Sequence, residues 1–263
     1  MLIIGEKLNS AIPAVREAII NRDVQFVQDL ARRQAEAGAQ YIDVNTAQGN
    51  NEIEDMEWMV KCVQEVVDVP LCIDTTSAEV AERGLSLCKG KAMLNSISME
   101  KERLEGMLPL IKKYGCAVIG LTMDDNGIPK TAEERIRIAG ELVEVFKREN
   151  LDLNDLYLDP LVLPVAVSSD NAVIFFRCLA EIKGKYQVKT VSGLSNVSHQ
   201  MPKRKLINRY FLTICLAHGM DAAILDPLDG KLMTAILTTE LLLNKDRFGR
   251  NYLKAHRQDA LVD

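Results

Sequence analysis

Short apolar runs alternate with longer amphipathic stretches along the chain, and this alternation repeats about eight times. Most of the apolar runs are continuous rather than alternating, which is typical of parallel strands that are buried on both faces. The pattern therefore predicts eight strands. They cover Leu2–Gly5, Gln40–Asn45, Pro70–Asp74, Lys91–Ser96, Ala117–Thr122, Leu156–Asp159, Lys189–Leu194 and Ala222–Asp226.

The segments between these runs have the apolar spacing of amphipathic helices. Helices are predicted over Val24–Ala37, Met99–Lys113, Thr131–Glu149 and Asn171–Lys183. Gly38 follows the first of them and is expected to form its C-terminal cap. Thr131 and Glu134 have the spacing of a capping box, which predicts where the third of these helices begins.

Eight strand–helix units without a Gly/Ser-rich linker favour a closed (β/α)8 TIM barrel that forms a single domain. A doubly wound open sheet is the alternative with the same kind of element order. The chain contains no GxGxxG or GxxxxGKS/T motif, so the usual phosphate-binding loops are absent. We expect residues 1–263 to form the barrel, with residues 249–263 as a C-terminal tail or short helix.

Composition and charge argue against several classes of protein. The net charge is -5, and no Lys/Arg-rich stretch contains aromatic residues, which argues against a nucleic-acid partner. No uncharged apolar run reaches about 18 residues and the first residues lack a signal-peptide pattern, so neither a membrane span nor a leader is expected. The six cysteines form no CxxC pair and favour a cytoplasmic protein with reduced thiols. Three dispersed histidines predict no metal site.

Polar side chains lie at or next to the ends of several predicted strands. They are Glu6, Asp43, Asn45, Asp74, Asn95, Asp159 and Asn196. In a barrel the carboxyl ends of the strands share one face, where catalytic groups are found. Each Asp or Asn taken alone fits a helix cap or a turn equally well. Their recurrence on strand after strand favours a ligand site at this face.

The types of these residues indicate the chemistry of the ligand. Carboxylates that are removed from water need hydrogen-bond donors. Without clustered basic residues or histidines, they favour a neutral ligand that is rich in N–H groups. A pterin fits because its 2-amino group and ring nitrogens form an edge from which a carboxylate accepts two hydrogen bonds. A purine-like ring offers similar donors, so both ring types stay open at this point.

Nine short motifs occur in order over nearly the whole chain. They are GEKLN, YIDVNT, LCIDTT, AMLNSIS, IGLTM, GIPK, LYLDPLVLP, GLSNVS and LINRYFL. Taken together they resemble the methyltetrahydrofolate:corrinoid methyltransferases, which belong to the pterin-binding barrel superfamily. The resemblance implies a methyltransferase of one-carbon metabolism whose substrate is tetrahydrofolate or 5-methyltetrahydrofolate, with no metal bound by this chain.

The resemblance also implies roles for individual residues. It implies that Asn196 is catalytic and lies near nitrogen-5, the folate atom that carries the methyl group. The pterin-binding residues that it implies are Glu6, Asp74, Asn95, Asp159, Gly193, Asn196 and Arg204. Asp43, Asn45, Ser198 and His199 are expected behind or beside them. His199 stands where some relatives have Gln, so the contacts of this loop are expected to differ from theirs.

A corrinoid (cobalamin) group is implied as well, carried by a separate protein that docks at the C-terminal face of the barrel. The family also implies a homodimer. The motifs LNSIS and VSGLSNVSHQ favour transfer from a methyl-Co(III) corrinoid protein to tetrahydrofolate, as in the branch that catabolises methylated amines or glycine betaine. The opposite direction, from methyltetrahydrofolate to a Co(I) corrinoid protein, is the alternative.

Two other functions are weaker alternatives. A dihydropteroate-synthase-like enzyme is expected to have an NxTPDSFSDGG-like first loop and a last strand that ends in SxRxH. This chain has GEKLNSAIP and ILDPLDG at those places. A pterin-binding protein without turnover is the other alternative, and an assay of methyl transfer separates it from an enzyme.

Overall fold

The computed structural model describes residues 1–262, in which eight parallel strands alternate with helices. The strands are β1 (Leu2–Asn9), β2 (Tyr41–Asn45), β3 (Leu71–Asp74), β4 (Met93–Met99), β5 (Ala117–Asp124), β6 (Leu156–Asp159), β7 (Lys189–Thr190) and β8 (Ala222–Leu225). The helices are α1 (Pro13–Ile20), α2 (Val24–Glu36), α3 (Glu52–Gln64), α4 (Ala78–Leu87), α5 (Lys101–Tyr114), α6 (Ala132–Arg148), α7 (Asn171–Tyr186), α8 (Arg204–Ala217), α9 (Gly230–Leu242) and α10 (Arg250–Arg257). Short 3-10 helices cover Leu153–Asp155, Leu194–Ser198 and Arg247–Gly249.

The strands follow one another around the sheet in the order of the sequence, and β8 pairs with β1. Two backbone contacts close the ring between β7 and β8. The amide of Ile224 donates to the carbonyl of Ser192 at 2.8 Å, and the amide of Asp221 donates to that of Thr190 at 3.2 Å. The predicted (β/α)8 barrel is confirmed, since a doubly wound sheet would have a reversal in its strand order.

Apolar side chains form two layers, one inside the barrel and one between the strands and the helices. The interior layer consists of Ile4, Cys72, Met93, Ala117, Ile119, Tyr157, Val191 and Ala222. A larger layer lies between the strands and the helices and includes the fully buried Leu94, Leu142 and Phe175. Each large apolar side chain buried in this way contributes about 1.5–3 kcal/mol to folding. Because the interior is filled, polar groups gather at the ends of the strands.

The predicted helix caps are present. Gly38 has a φ of +103°, a conformation that L side chains rarely adopt, directly after α2 and its cap residue Ala37. The Thr131 hydroxyl accepts from the Glu134 amide at 3.3 Å and donates to the Glu134 carboxylate at 2.8 Å. The Thr131 side chain thus caps α6 where the spacing predicted, although Glu134 bonds to the hydroxyl rather than to the Thr131 backbone amide as in a full capping box.

Strand β1 continues to Asn9, although the sequence predicts its end at Gly5. Its pairing with β2 shifts register between Gly5 and Leu8. The Lys7 amide, which leaves the ladder there, donates to the side-chain oxygen of the buried Gln34 at 2.9 Å. Gly5 is required beside it, because a Cβ would lie 2.5 Å from that oxygen. A glutamine on α2 thus satisfies the irregularity, and nothing local in β1 signals it.

Other boundaries also differ from the prediction. Strand β4 covers Met93–Met99 rather than Lys91–Ser96, β5 continues to Asp124 rather than Thr122, and α7 continues to Tyr186 rather than Lys183. Strand β7 has only two residues instead of spanning Lys189–Leu194. Val191 and Ser192 still bond to β6 and β8, but the pairing is irregular, and a 3-10 helix begins at Leu194. Helix α5 begins at Lys101 rather than Met99, since Met99 still pairs with Asp124 of β5.

Between residues 1 and 262, no helix combines the length and the apolar character that crossing a membrane requires.

Candidate active site

A cavity of about 830 Å³ lies at the carboxyl ends of the strands. This volume is within the range of small-molecule sites, about 300–1,000 Å³. Two sets of side chains line it. The strand-end wall consists of Asp43, Asp74, Asn95 and Asp159. The loop wall consists of Glu6 on β1, Ser195 and Asn196 in the 3-10 helix after β7, and Arg204 on α8.

The pairing of neighbouring strands places the polar residues of the strand-end wall. Asn45 lies opposite Asp74 in the β2–β3 pair, and Asp74 lies opposite Asn95 in the β3–β4 pair. The Asn45 amide donates to the Asp74 carboxylate at 2.9 Å. The Asn95 amide approaches the Asp43 carboxylate at 3.4 Å. Residues far apart in sequence are thus held in one row by backbone register.

Asp159 is the most fixed member of this wall. It ends β6, is only 6% exposed, and accepts hydrogen bonds from the backbone amides of Leu161 at 2.7 Å and Gly193 at 3.4 Å. Burial raises the pKa of Asp159 to about 6, although both of these hydrogen bonds favour the charged form. The carboxylate therefore gains from a ligand that brings further donors.

The other two carboxyl groups of the wall are perturbed in the same direction. Burial raises the pKa of Asp74 to about 6, against the hydrogen bond from Asn45. Burial and the neighbouring Asp74 charge raise the pKa of Asp43 well above its usual range. Buried carboxyl groups with raised pKa values in a cleft are typical of functional sites.

Arg135 supports the strand-end wall from behind, and the sequence analysis missed it. Its side chain on α6 is fully buried. Its guanidinium donates to the carbonyl oxygens of Pro129 at 2.9 Å, Pro160 at 3.0 Å and Leu161 at 2.9 Å. The loop that follows Asp159 is therefore fastened to α6. The sequence signal that could have indicated its role was an arginine among the apolar positions of α6.

Hydrogen bonds between side chains and backbone hold the loop wall. The Ser195 hydroxyl donates to the Glu6 carboxylate at 3.2 Å. Arg204 donates from Nη2 to the Ser195 carbonyl at 2.8 Å and from Nε to the Ser198 hydroxyl at 3.1 Å. The turn that carries Asn196 is thus held between β1 and α8.

Burial raises the pKa of Glu6 to about 7. The Ser195 hydrogen bond and the Lys7 and Arg204 charges oppose this rise, while the Asp226 charge adds to it. Gly193 gives room on the same wall, because a Cβ there would lie 3.0 Å from the Asn196 amide nitrogen. Glu6 is therefore an acid that changes charge near neutral pH at the edge of the cavity.

The structure brings most of the predicted site residues to this one cavity. Those that line it are Glu6, Asp43, Asp74, Asn95, Asp159, Gly193, Asn196, His199 and Arg204. Asn45 and Ser198 stand behind this lining, where they bond to Asp74 and to Arg204. The placement shows proximity; their individual roles remain predictions.

Several lining residues were not predicted. They include Lys7, Asn9, Ser195, Asn208, Asp226 and Asp229. Lys7 and Asp226 form an ion pair at 3.2 Å across the β1–β8 edge. Asp226 follows an apolar strand as the predicted residues do, and Ser195 lies within GLSNVS, so both had a signal. Within residues 1–262, no cluster of three or more His, Cys, Asp or Glu side chains is placed to hold a metal ion.

The sequence of this chain is similar to those of known proteins. Residues 8–226 match the family described as pterin binding enzyme. The chain is 41% identical over 268 residues to a methylcorrinoid:tetrahydrofolate methyltransferase of Eubacterium limosum, covering 99% of this chain and 98% of that protein. It is 28% identical over 239 residues to a methionine synthase of Mycobacterium leprae, covering 85% of this chain but only 20% of that longer protein.

Solved structures show the same architecture. The Yersinia pestis dihydropteroate synthase superposes with a TM-score of 0.69 at 18% identity, covering 92% of this chain and 93% of that one. At this identity the likeness shows the fold alone. The identity over the full length and the family match go further: this chain belongs to the pterin-binding enzymes and, within them, to the methyltransferase family that its motifs resemble.

Proposed function

We propose that this enzyme transfers a methyl group from the cobalt of a methylated corrinoid protein to nitrogen-5 of tetrahydrofolate. The observation that carries the proposal is that the strand-end wall and the Asn196 turn line one cavity of about 830 Å³. The full-length likeness to a protein named for methylcorrinoid and tetrahydrofolate supports both substrates and this direction.

The strand-end wall binds the pterin ring in this proposal. Asp74 and Asp159 accept hydrogen bonds from the 2-amino group and the ring N–H groups. These donors add to the few that the buried carboxylates have in the free protein. The Asn95 amide both donates and accepts, so it suits the mixed edge of the ring. Binding favours the charged carboxylates because the ligand supplies donors where water has been excluded.

Asn196 acts on the reacting atom. The lone pair of nitrogen-5 attacks the methyl carbon, the cobalt–carbon bond breaks with its electron pair left on cobalt, and the nitrogen loses its proton. Positive charge develops on nitrogen-5 as it attacks, and the side-chain oxygen of Asn196 lies against it, which stabilises the transition state more than the ground state. Such an electrostatic contact contributes about 2–4 kcal/mol.

The corrinoid protein docks at the C-terminal face of the barrel, because the cavity opens among the loops that follow the strands. Two apolar side chains on these loops are exposed, Ile128 after β5 at 40% and Val167 after β6 at 73%. They offer apolar contact area to a partner beside the cavity. A homodimer remains a prediction from the resemblance.

The test mixes the protein with tetrahydrofolate and methylated corrinoid proteins, each charged from a different methyl donor, and follows the cobalt spectrum. We expect conversion of the methyl-Co(III) form to Co(I), together with methyltetrahydrofolate, for one of these partners. No conversion with any partner while tetrahydrofolate binds would leave a pterin-binding protein without turnover. Faster transfer from methyltetrahydrofolate to Co(I) at matched concentrations would reverse the direction.

A further inference from the structure

Glu6 differs from the carboxyl groups of the strand-end wall in where it lies and in what it touches. It occupies the irregular segment of β1 between Gly5 and Leu8, where the pairing with β2 shifts register. Irregularities of this kind re-aim side chains beside active sites. Its carboxylate accepts a hydrogen bond at 3.2 Å from Ser195, the residue next to Asn196.

The other carboxylates of the strand-end wall have no hydroxyl partner. Asp159 accepts from backbone amides, and Asp74 accepts from the Asn45 side chain. Asp43 contacts the Asn95 amide and the Cys72 thiol, which is fully buried in the barrel interior and does not line the cavity. An amide N–H donates but does not pass a proton on, whereas a hydroxyl both accepts and donates. Glu6 is thus joined to the reacting side of the cavity by a group that can relay a proton.

The two remaining acids that line the cavity in the described chain have other partners. Asp226 pairs with Lys7 at 3.2 Å and accepts from the backbone amide of Leu228 at 3.0 Å. Asp229 accepts from the Leu232 amide at the start of α9. Neither is linked through a hydroxyl to the turn that carries Asn196, so they do not compete with Glu6 for a relay.

We propose, on the basis of the methyl transfer proposed above, that Glu6 takes up the proton that nitrogen-5 releases, with the Ser195 hydroxyl between them. As the carbon–nitrogen bond forms, the N–H bond of nitrogen-5 breaks and its proton passes to the Ser195 oxygen. The Ser195 hydroxyl proton passes to the Glu6 carboxylate in the same event. The electron pair of the former N–H bond stays on nitrogen, and the pair of the cobalt–carbon bond stays on cobalt. In the opposite direction the same path returns the proton.

The charges around Glu6 suit this task. Burial raises the pKa of Glu6 to about 7, the Ser195 hydrogen bond lowers it, and Asp226 at the end of β8 raises it. Lys7 on β1 and Arg204 on α8 lower it, and Asp43 on β2 is a further acid that interacts with Glu6. A general acid or base works best when its pKa lies near the operating pH.

The experiment measures single-turnover methyl transfer in both directions as a function of pH, with the full-length protein and its corrinoid partner. Transfer to tetrahydrofolate needs the Glu6 carboxylate, so its rate rises with pH through about 7. Transfer from methyltetrahydrofolate needs the carboxylic acid, so its rate falls over the same range. Opposite slopes with one shared midpoint are the expected signature.

Two variants assign the midpoint. Glu6→Gln removes both slopes and slows transfer to tetrahydrofolate about 100-fold at high pH, as expected for loss of a general base. Ser195→Ala keeps the carboxyl group but removes the bond that lowers its pKa, so the midpoint moves to higher pH and the rate falls. Tetrahydrofolate affinity, measured by calorimetry, shows that both variants are folded. Glu181→Gln, on the exposed side of α7, is the matched control and keeps the wild-type profile.

The outcomes separate this inference from the proposed function. A Glu6→Gln profile with unchanged slopes overturns the role of Glu6, and so does a rate loss of equal size at every pH, which indicates a structural role only. Wild-type protein that transfers no methyl group in either direction overturns the proposed function and the inference with it.

Discussion

The two walls of the cavity are built in different ways. Backbone register between β2, β3 and β4 places Asn45, Asp74 and Asn95 side by side. The residues of the loop wall are not placed by such a ladder. An irregular strand, a 3-10 helix and the first turn of α8 meet there through the bonds of Ser195 to Glu6 and Arg204. One wall follows the regular ladder of the barrel, whereas the other combines an irregular strand, a 3-10 helix and the start of a helix.

This difference assigns different tasks to the walls. A ligand that must be held in one orientation benefits from groups on rigid strands, whose positions change little. In the proposed reaction, the methyl group and the proton move beside the loop wall. We therefore expect substitutions in the strand-end wall to affect affinity and substitutions in the loop wall to affect rate.

The largest expected effect tests the loop wall at Asn196. Asn196→Ala should lower the single-turnover rate about 100- to 1,000-fold, because it removes a polar contact that strengthens as charge develops in the transition state. Tetrahydrofolate affinity should stay within about threefold, since the proposal assigns ring binding to the strand-end wall. Stopped-flow spectroscopy and calorimetry measure the two quantities, with the exposed Asn251→Ala on α10 as control. A full rate in Asn196→Ala would remove this residue from the mechanism.

Asp74 provides the reciprocal test on the strand-end wall. Asp74→Asn should weaken tetrahydrofolate binding about 10- to 100-fold, because a hydrogen bond to a charged group contributes about 1.5–3 kcal/mol. At saturating folate the transfer rate should change little. Asp68→Asn, an exposed carboxylate before the same strand, is the control in calorimetry. Unchanged affinity together with a lost rate would contradict this assignment, because Asp74 would then act in the reaction rather than in binding.

Gly193 tests how closely the loop wall positions Asn196. A Cβ at Gly193 would lie 3.0 Å from the Asn196 amide nitrogen, while the backbone φ of -72° accepts alanine. Gly193→Ala should therefore displace that side chain by a few tenths of an ångström and lower the rate about tenfold, since reaction rates depend steeply on such geometry. Binding should stay near the wild-type value. Equal losses of rate and affinity would show that the two walls are not independent.

The smallest effect concerns stability in the absence of folate. Because burial raises the pKa of Glu6 from 4.5 to about 7, the folded protein binds more protons than the unfolded chain between these values. The stability linked to Glu6 is present below pH 4.5 and is lost as the pH rises through about 7. Glu6→Gln should thus stabilise the free protein above pH 7 by on the order of 1 kcal/mol, which raises Tm by about 2–4 °C. Thermal unfolding across this range measures it, and a lower Tm above pH 7 would contradict the expectation.

Much of the fold was predictable because its signal is local. A strand buried on both faces needs a continuous apolar run, so the runs that end at Asp74 and Asp159 indicated β3 and β6 almost to the residue. The capping-box spacing at Thr131 likewise marked the start of α6. In contrast, the full length of β1 depends on Gln34 of α2, which replaces a lost ladder partner of Lys7.

The candidate site divides in the same way. Strand ends in a parallel barrel share one face, so Asp74, Asn95 and Asp159 could be predicted to lie together from their positions alone. The contact of Glu6 with Ser195 joins residues 189 positions apart and depends on a register shift and on a turn that follows a shortened β7. The sequence signal of Arg135 was a charged residue on an apolar helix face, and its three carbonyl partners belong to two loops.

By itself, the sequence determined the barrel, the face on which its polar residues gather and the family to which it belongs, since apolar runs, strand ends and short motifs are properties of neighbouring residues. Only the tertiary structure decided which carboxyl group of the cavity meets the Ser195 hydroxyl. That choice depends on register and on loop closure, which join distant parts of the chain and are set by packing over the whole barrel.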